Sequence, residues 1–475
     1  MHANLKVFLR FLLYFTSETW NNNRFYLWIP KKSCNLASKI IIMRKGQRKL
    51  SGFRKRLSQY LGSLGYDCFH RDRMKVNDKW FCYKQNPEVD VDFLTRDLAQ
   101  INKGEAFFYG EGLTADIACL PPNFKDPFSM PIEEATNLFH GYLKSGMEYE
   151  YPNPYREMND NGEIDWVKNS MKLIDYQNVG ANTFRAVECW QGRVDADFLW
   201  DYVICVNTLP LVAIAIEPDE EGDAACQRAY EAMRHELDED YVLRTYLQFC
   251  VISNGETTLV GSPIDTLDDF KSWPSLMGEE PPVGFQVPAE TAVVSLLRPD
   301  RLLDVLQNNV RVEYRSNAQF RHFFGDYHLY FSLLKVQEAV MEHFSKSEEP
   351  FFGHVDLLKS EAELSSLAGS QAECCTMLAY FRLMPVLMQV DVCDRYLACY
   401  TCVLNVKILS ELRKVDKPLF LVFGPALTMA DYHRLRTEFP DASIVQFRQL
   451  PLDKEENEEI GDCIYKALFL FVDCL

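Results

Sequence analysis

The chain has 475 residues, of which 47% are hydrophobic and 25% are charged, a composition typical of globular proteins that excludes a fibrous or a wholly disordered chain. Its formal net charge of −18 argues against a protein that simply coats nucleic acid. The length predicts two or three domains with sizeable cores.

The charge is unevenly distributed. Residues 1–56 contain thirteen lysines and arginines and one acid, Glu18, whereas residues 217–240 contain ten acids and two arginines. The basic segment 44–56 is a candidate for phosphate contacts, and a solvated basic start of a helix explains it at least as well. The acidic run predicts a surface that repels DNA.

The fifteen cysteines are an odd number, so they cannot all pair, and this favours a reducing cytoplasm. Cys399 and Cys402 form a CxxC pair, but a zinc site needs a second ligand pair at similar spacing, and the sequence offers none. Buried structural thiols are therefore predicted.

The N-terminus contains the apolar run KVFLRFLLYF, which Arg10 interrupts and which is far shorter than a membrane span. No membrane partner is predicted. A basic stretch that begins at Met43 has the character of a protein start, so residues 1–42 are predicted to be an extension without a function.

From residue 50 onwards, helical and strand patterns alternate. Helical spacing is found in FRKRLSQYLGSLGY, DVDFLTRDLAQIN, EEATNLFHGYLKSG and AACQRAYEAMRHEL, while the proline-rich segment 115–131 is predicted to be irregular. Strand patterns are found in MEYEY, SMKLIDY, TFRAVECW, DYVICVN, LVAIAIE, FCVISNG and ETTLVGS. The order predicts a mixed α/β domain with a central sheet, in which TLPL joins DYVICVN and LVAIAIE as a hairpin.

Four phrases resemble a known family in order and spacing: NLFHGYLKSGMEYEY, MKLIDYQNVGANTFRAVE, DYVICVNTLPLVAIAIEP and VISNGETTLVGSPIDTLDDFKSW. They are similar to the N-terminal domain of the restriction (R) subunit of type I restriction–modification enzymes. The resemblance implies a PD-(D/E)xK restriction-endonuclease-like mixed sheet domain over residues 43–285. A partial RecA-like parallel α/β domain, of the helicase and ATPase type, is implied over residues 286–475.

Such nucleases need an Asp on the first strand of a hairpin and a Glu on the second to hold Mg²⁺, with a Lys two residues beyond the Glu. The resemblance places the Asp at Asp201, the lost Glu at Ala215 and the lost Lys at Glu217. Asp201 is thus a weak candidate metal ligand, and a backbone-bonded residue at a strand start is its structural alternative. Restoring the pair by Ala215→Glu with Glu217→Lys is predicted to recover metal binding.

Further positions of the family's nuclease site are also altered. The family's Gln-x-x-x-Tyr pair, which positions DNA, matches Gln227 and Tyr230 at a spacing one residue too short, or Cys226 takes the Gln position. An Asn–Gln pair of the family is replaced by Glu188 and Cys189.

The second half resembles the family's motor domain without its nucleotide site. The family's YHQYF phrase has Leu329 at its Gln, and the phosphate-binding Lys and magnesium-binding Ser of its GSGKS loop fall on Glu373 and Cys374. A carboxylate at a phosphate position repels phosphate, so ATP binding is not expected. The DEAH and TGTP phrases are replaced by residues 424–427 and 448–451, while a DR phrase is kept at Asp394 and Arg395.

The resemblance implies a site-specific deoxyribonuclease that uses Mg²⁺ and ATP in the family, with double-stranded DNA and the methyltransferase and specificity subunits as partners. The altered residues instead predict a non-catalytic protein with neither cofactor that binds DNA or the methyltransferase complex. Two alternatives remain open: a decaying relic with no activity, and a residual Mg²⁺-dependent DNA endonuclease.

Overall fold

The chain divides into two compact units, Met1–Lys49 and Leu50–Leu475. In the computed structural model of the protein, the first unit and the predicted extension 1–42 lie outside the described residues. The described residues are 54–70, 75–76, 79–80, 91–102, 113–120, 129–152, 166–190, 199–217, 223–274, 289–314, 320–346, 352–357, 382, 397–400, 419–423, 437 and 443–449.

Helices and strands alternate along the second unit. The helices are α1 (54–63), α2 (Val91–Ile101), α3 (Leu113–Ala118), α4 (Ile132–Ser145), α5 (Asp223–Glu239), α6 (Tyr241–Tyr246), α7 (Ala289–Leu296), α8 (Pro299–Asn308) and α9 (Tyr327–Lys346).

The strands up to residue 272 are β1 (Asp67–His70), β2 (Lys75–Val76), β3 (Lys79–Trp80), β4 (Met147–Pro152), β5 (Trp166–Met171), β6 (Phe184–Trp190), β7 (Trp200–Val206), β8 (Leu209–Ile216), β9 (Phe249–Ser253), β10 (Thr258–Gly261) and β11 (Lys271–Ser272). Beyond them lie β12 (Val310–Tyr314), β13 (Phe320–Phe324), β14 (Phe352–Leu357), β15 (Leu397–Tyr400), β16 (Leu419–Phe423) and β17 (Ser443–Gln449).

Seven strands form one sheet in the order β1-β6-β7-β8-β9-β10-β11. The pairs β1/β6 and β8/β9 are parallel and the other neighbours are antiparallel. The predicted mixed α/β architecture with a central sheet is therefore confirmed. Two local predictions were wrong: α3 occupies part of the segment predicted to be irregular, and strand β5 ends at Met171, before the LIDY residues.

The predicted hairpin is formed by β7 and β8, and every residue of both strands is buried. Its turn is Asn207–Thr208, with φ angles of 49° and 72°, so it begins one residue before the TLPL segment. Two consecutive left-handed residues make the tight turn that matches the twist of two antiparallel strands. Thr208 is a β-branched residue in a conformation that such residues rarely adopt.

Two apolar clusters cover the two faces of the sheet, because successive side chains of a strand alternate between faces. On one face, Tyr202, Ile204 and Val206 of β7 pack with residues of α1, α4, α7, α8 and α9. On the other face, Val203 and Cys205 of β7 pack with α5. The hairpin therefore lies between two layers of helices.

A buried ion pair fastens helix α2 to the tip of this hairpin. Arg185 of β6 donates to both carboxylate oxygens of Asp97, which is fully buried in α2. The same carboxylate accepts from the hydroxyl of Thr208 at 2.6 Å and from that of Thr183 at 3.0 Å. Every charge and hydroxyl in this network has a partner, which is the condition under which a buried ion pair is tolerated.

The asparagines of the predicted family phrases have a structural role beside this pair. Asn207 accepts from the backbone N–H of Thr183 at 2.8 Å and donates to the Leu173 carbonyl and to Asn182, both at 2.9 Å. Asn182 in turn accepts from the backbone N–H of Asp175 at 2.9 Å. These bonds satisfy the backbone of the irregular segment 172–183 and hold it against the hairpin.

The core continues past residue 285. The cluster that contains Tyr202 also contains twelve residues beyond position 285: eleven from α7, α8, the antiparallel pair β12–β13 and α9, and Leu297 between α7 and α8. Trp273, before the predicted boundary, contacts the rings of Phe324, Tyr327, Tyr330 and Phe331 beyond it. The boundary between 285 and 286 stays a prediction. Farther on, β14, β17, β16 and β15 form a four-stranded sheet whose neighbours are all parallel.

Two buried histidines, one in α4 and one in β13, both contact Gln248, the residue before β9. The Nδ1 atom of His140 in α4 lies 2.9 Å from the side-chain oxygen of Gln248, and the Nε2 atom of His322 in β13 lies 2.8 Å from the Gln248 carbonyl. Each acceptor oxygen requires an N–H at that ring nitrogen, and burial disfavours the doubly protonated form. Burial lowers the pKa of His140 well below its ordinary value and that of His322 to about 4, and positive charges such as Lys144 beside His140 and Arg244 beside His322 add to the effect.

An acid-dependent loss of stability follows from these histidines. In the unfolded chain they bind protons near pH 6.5, so between about pH 6.5 and pH 4 the unfolded state binds more protons, and the free energy of unfolding decreases as the pH is lowered through this range. We expect His322→Gln to make this slope shallower by up to about 1.4 kcal/mol per pH unit, measured by urea denaturation at several pH values. The exposed His235→Gln is the control; equal slopes in both variants would contradict the prediction.

Candidate functional site

Asp201, the predicted metal-ligand position, lies near the start of β7 and is only 3% exposed. Its Oδ1 atom accepts from Nε and Nη2 of Arg54 at 2.8 and 2.5 Å. Its Oδ2 atom accepts from the backbone N–H of Ile216 at 2.6 Å. The carboxylate thus has a guanidinium from α1 on one oxygen and a strand amide on the other.

Burial and Arg54 act in opposite directions on this carboxyl. Burial raises the pKa of Asp201 to about 6, the Arg54 charge and the hydrogen bonds from Arg54 and Ile216 oppose that rise, and the nearby Glu217 adds to it. At neutral pH the carboxylate is ionised. The Asp201 charge raises the pKa of Arg54 against the effect of burial, so both members of the pair are charged.

Ala215 and Glu217 occupy the positions predicted for the lost Glu and Lys. The pairing of Tyr202 with Ile214 and of Val203 with Ala213 puts Ala215 directly opposite Asp201 on the neighbouring strand. Ala215 is 2% exposed and its methyl group belongs to the apolar cluster beneath α5. Glu217 is exposed, and its carboxylate lies 4.0 Å from Arg228. The position predicted for the lost Lys therefore holds an acid that is paired with an arginine.

The described contacts of Gln227 and Tyr230 lead away from Asp201. Gln227 is exposed on α5 and donates to Glu231 one turn along the same helix, at 2.9 Å. The Tyr230 hydroxyl donates to the backbone carbonyl of Asp265 at 2.9 Å. The alternative candidate, Cys226, is buried with its thiol 3.9 Å from the carbonyl of Thr257. The contacts described for these three residues are therefore with Glu231 on the same helix and with the backbone at Thr257 and Asp265.

The sequence singled out Glu188 as an altered family position, but it did not indicate the contacts that this residue, Ser58 and Tyr202 make around Asp201. Oε1 of Glu188 accepts from the Ser58 hydroxyl and lies 3.2 Å from the Tyr202 hydroxyl, which is 2.7 Å from the Arg54 carbonyl. These bonds tie α1 to β6 and β7. The basic segment that includes Arg54 was visible in the sequence, but its partner lies 147 residues away, and no local pattern indicates such a pairing.

The residues at this site do not fit a magnesium ion. Such an ion normally uses at least two carboxylate-type ligands and water, and here the strand opposite Asp201 offers a methyl group while a guanidinium already holds Asp201. Across the described part of the chain, no group of three His, Cys, Asp or Glu side chains could hold a metal ion.

For the predicted nucleotide site, Glu373, Cys374, Asp394, Arg395 and residues 424–427 lie outside the described residues, and the expectation that ATP does not bind stays a prediction. Leu329 is described and is buried in α9.

Six described cysteines are in no disulfide bond, and they agree with the predicted buried thiols only in part: Cys205, Cys226 and Cys250 are buried, Cys68 and Cys189 are half-buried, and Cys119 is exposed. Among the described helices none has the length and the apolar run needed to cross a membrane.

The sequence is similar to known proteins over the part that forms the sheet. Residues 53–268, just under half of the chain, match the family model described as the type I restriction enzyme R protein N terminus. One relative, the type I restriction enzyme HindI endonuclease subunit of Haemophilus influenzae, is 26% identical over 206 residues, which are 42% of this chain and 18% of the relative.

A second relative comes from Methanocaldococcus jannaschii and is provisionally named type I restriction enzyme MjaVIIIP endonuclease subunit. It is 20% identical over 190 residues, which are 40% of this chain. In both cases the match spans 18% of the relative's length. The family model and both relatives agree with the phrases found in the sequence, and residues 53–268 are similar to the N-terminal region of type I restriction enzyme R proteins.

Proposed function

We propose that this region is a PD-(D/E)xK nuclease fold that no longer cleaves DNA and serves as a binding module. The observation that carries the proposal is the pairing across the β7–β8 hairpin, where Asp201 faces Ala215. Cleavage of this type requires a metal ion to lower the pKa of the attacking water and to neutralise the phosphate. One carboxylate, already paired with Arg54, is a poor substitute for that ligand set.

For the part of the chain beyond the core, we propose a partial RecA-like domain without ATPase activity. The all-parallel sheet β14-β17-β16-β15 supports the architecture, since nucleotide-binding motor domains have parallel sheets of this kind. The loss of ATP binding rests on the sequence at Glu373 and Cys374.

The partner that we propose is the methyltransferase–specificity complex, with double-stranded DNA as the second candidate. Glu217, an exposed acid near Asp201, disfavours DNA at this end of the sheet, because it stands where a cation would contact phosphate. A protein surface is less affected by this acid, and the methyltransferase and specificity subunits are, together with DNA, the partners that the family resemblance implies.

Co-purification tests the proposed partner. We expect the chain, expressed from Met43 with the type I methyltransferase–specificity complex of the same genome, to elute with that complex. Separate elution, together with rapid proteolysis, would favour a relic over a binding module. Binding to DNA alone, falling steeply with salt, would favour the second candidate partner.

If the chain no longer cleaves DNA, it should show no metal-dependent nuclease activity. We expect supercoiled plasmid to remain intact with the wild-type chain in Mg²⁺ or Mn²⁺, and Asp201→Asn to be indistinguishable from it. Asp201→Asn keeps the size of the side chain and removes its charge. Nicking by the wild-type chain that Asp201→Asn abolishes would establish the alternative, a residual Mg²⁺-dependent endonuclease.

A further inference from the structure

Asp201 is paired with a cation of the protein itself, the guanidinium of Arg54. The Arg54 guanidinium makes two hydrogen bonds to one carboxylate oxygen, and the other oxygen binds the Ile216 amide. The Arg54 side chain is 23% exposed and that of Asp201 is 4% exposed, so the pair is partly shielded from water. Charge-assisted bonds in such surroundings are stronger than exposed ones.

The helix that carries Arg54 is fixed in place by contacts other than the ion pair. Leu57 and Leu61 of α1 are fully buried in the core, and Ser58 donates to Glu188. The carbonyl of Arg54 itself lies 2.7 Å from the Tyr202 hydroxyl. Because the backbone of α1 is held in this way, the guanidinium is delivered to Asp201 at little cost in conformational entropy.

We propose that Arg54 is a built-in cation that takes the place of a divalent metal ion at Asp201, neutralising the carboxylate and excluding metal from this end of the sheet. The inference rests on the proposed function in one respect, namely that Asp201 holds the metal-ligand position. It adds that the nuclease site is closed by a residue outside the hairpin, on α1. Restoring Glu at position 215 and Lys at position 217 does not by itself restore the metal site, because a metal ion must first displace the charged guanidinium of Arg54.

The proposal changes what is expected of the variant that carries Ala215→Glu and Glu217→Lys. With Arg54 in place, we expect this double variant to bind Mn²⁺ at least about tenfold more weakly than a triple variant that also carries Arg54→Gln. Isothermal titration calorimetry and the paramagnetic signal of free Mn²⁺ measure the affinity without any nuclease assay. Adding Asp201→Asn to the triple variant should abolish binding, and adding Lys55→Gln to the double variant in place of Arg54→Gln should change nothing.

A simpler variant keeps the test valid if a glutamate at the buried position 215 prevents folding. Arg54→Glu puts a second carboxylate beside Asp201 without altering the apolar cluster. We expect the unfolding temperature of Arg54→Glu to rise with millimolar Mn²⁺, while the wild type and the neighbouring exposed variant Lys55→Glu do not respond. An unchanged unfolding temperature in Arg54→Glu would overturn the proposal.

Failure of this inference can be told apart from failure of the proposed function. Equal Mn²⁺ affinity with and without Arg54 in the restored hairpin overturns the built-in cation and leaves the loss of catalysis standing. Metal-dependent nicking of plasmid by the wild-type chain overturns both.

Discussion

Replacing Arg185 by Met is expected to lower the free energy of unfolding by about 3–5 kcal/mol. The substitution removes the buried cation that bonds both oxygens of the fully buried Asp97, and it leaves only the half-exposed Arg96, whose guanidinium lies 3.8 Å from that carboxylate. The hydroxyls of Thr183 and Thr208 continue to donate to the carboxylate but do not neutralise it. Urea denaturation followed by the fluorescence of the buried tryptophans measures the change.

The control for this prediction is Arg298→Met. Arg298 makes a similar two-point contact with Asp300 at 2.6 and 2.7 Å, but both side chains are about half exposed. Exposed pairs contribute about 0–1 kcal/mol, so this variant should unfold close to the wild type. A loss below about 1 kcal/mol in Arg185→Met would mean that water reaches Asp97.

A fragment that ends at residue 285, the predicted end of the nuclease-like domain, is expected not to fold. It lacks the twelve apolar core residues that lie between the start of α7 and the end of α9. Each such side chain contributes about 1.5–3 kcal/mol when buried, and together they exceed the about 5–15 kcal/mol by which a domain is stable. Circular dichroism and limited proteolysis of the purified fragment measure the outcome.

A fragment of residues 43–346 is the matched comparison, because it keeps all twelve of those residues and ends with α9. We expect this longer fragment to show a cooperative unfolding transition. If the fragment ending at 285 unfolds as cooperatively as the longer one, then the boundary predicted from the sequence is also a thermodynamic boundary.

The elements with strong periodicity were predictable from the sequence. Strands β6 to β10 and helices α1, α4 and α5 lie where the pattern predicted them, since long apolar runs at period two or 3.6 leave little choice. The segment 172–176 was predicted to continue a strand, but its carbonyls at Leu173 and Asp175 accept from the side chains of Asn207 and Asn182. Period-based reasoning does not register such side-chain partners.

The candidate site was predictable only along the hairpin. Asp201, Ala215 and Glu217 follow from counting along two adjacent strands, and the register agrees with that count. The partner of Asp201 is Arg54, which lies on α1, 147 residues earlier in the sequence. Their pairing depends on how α1 packs against the sheet. Tertiary contacts of this kind decide whether a retained acid can hold a metal ion, and they leave no local signature in the residues around either partner.

The left-handed turn at Thr208 makes the identity of that residue depend on a distant helix. Glycine is free of the strain of about 1–2 kcal/mol that a β-branched residue bears there, whereas the threonine hydroxyl gains a bond to Asp97, 111 residues away, of comparable or greater value. Whether threonine or glycine at position 208 gives the more stable protein therefore depends on whether position 97 carries a carboxylate. In evolutionary terms the two positions are epistatic, and the order in which they change decides whether each step is neutral or harmful.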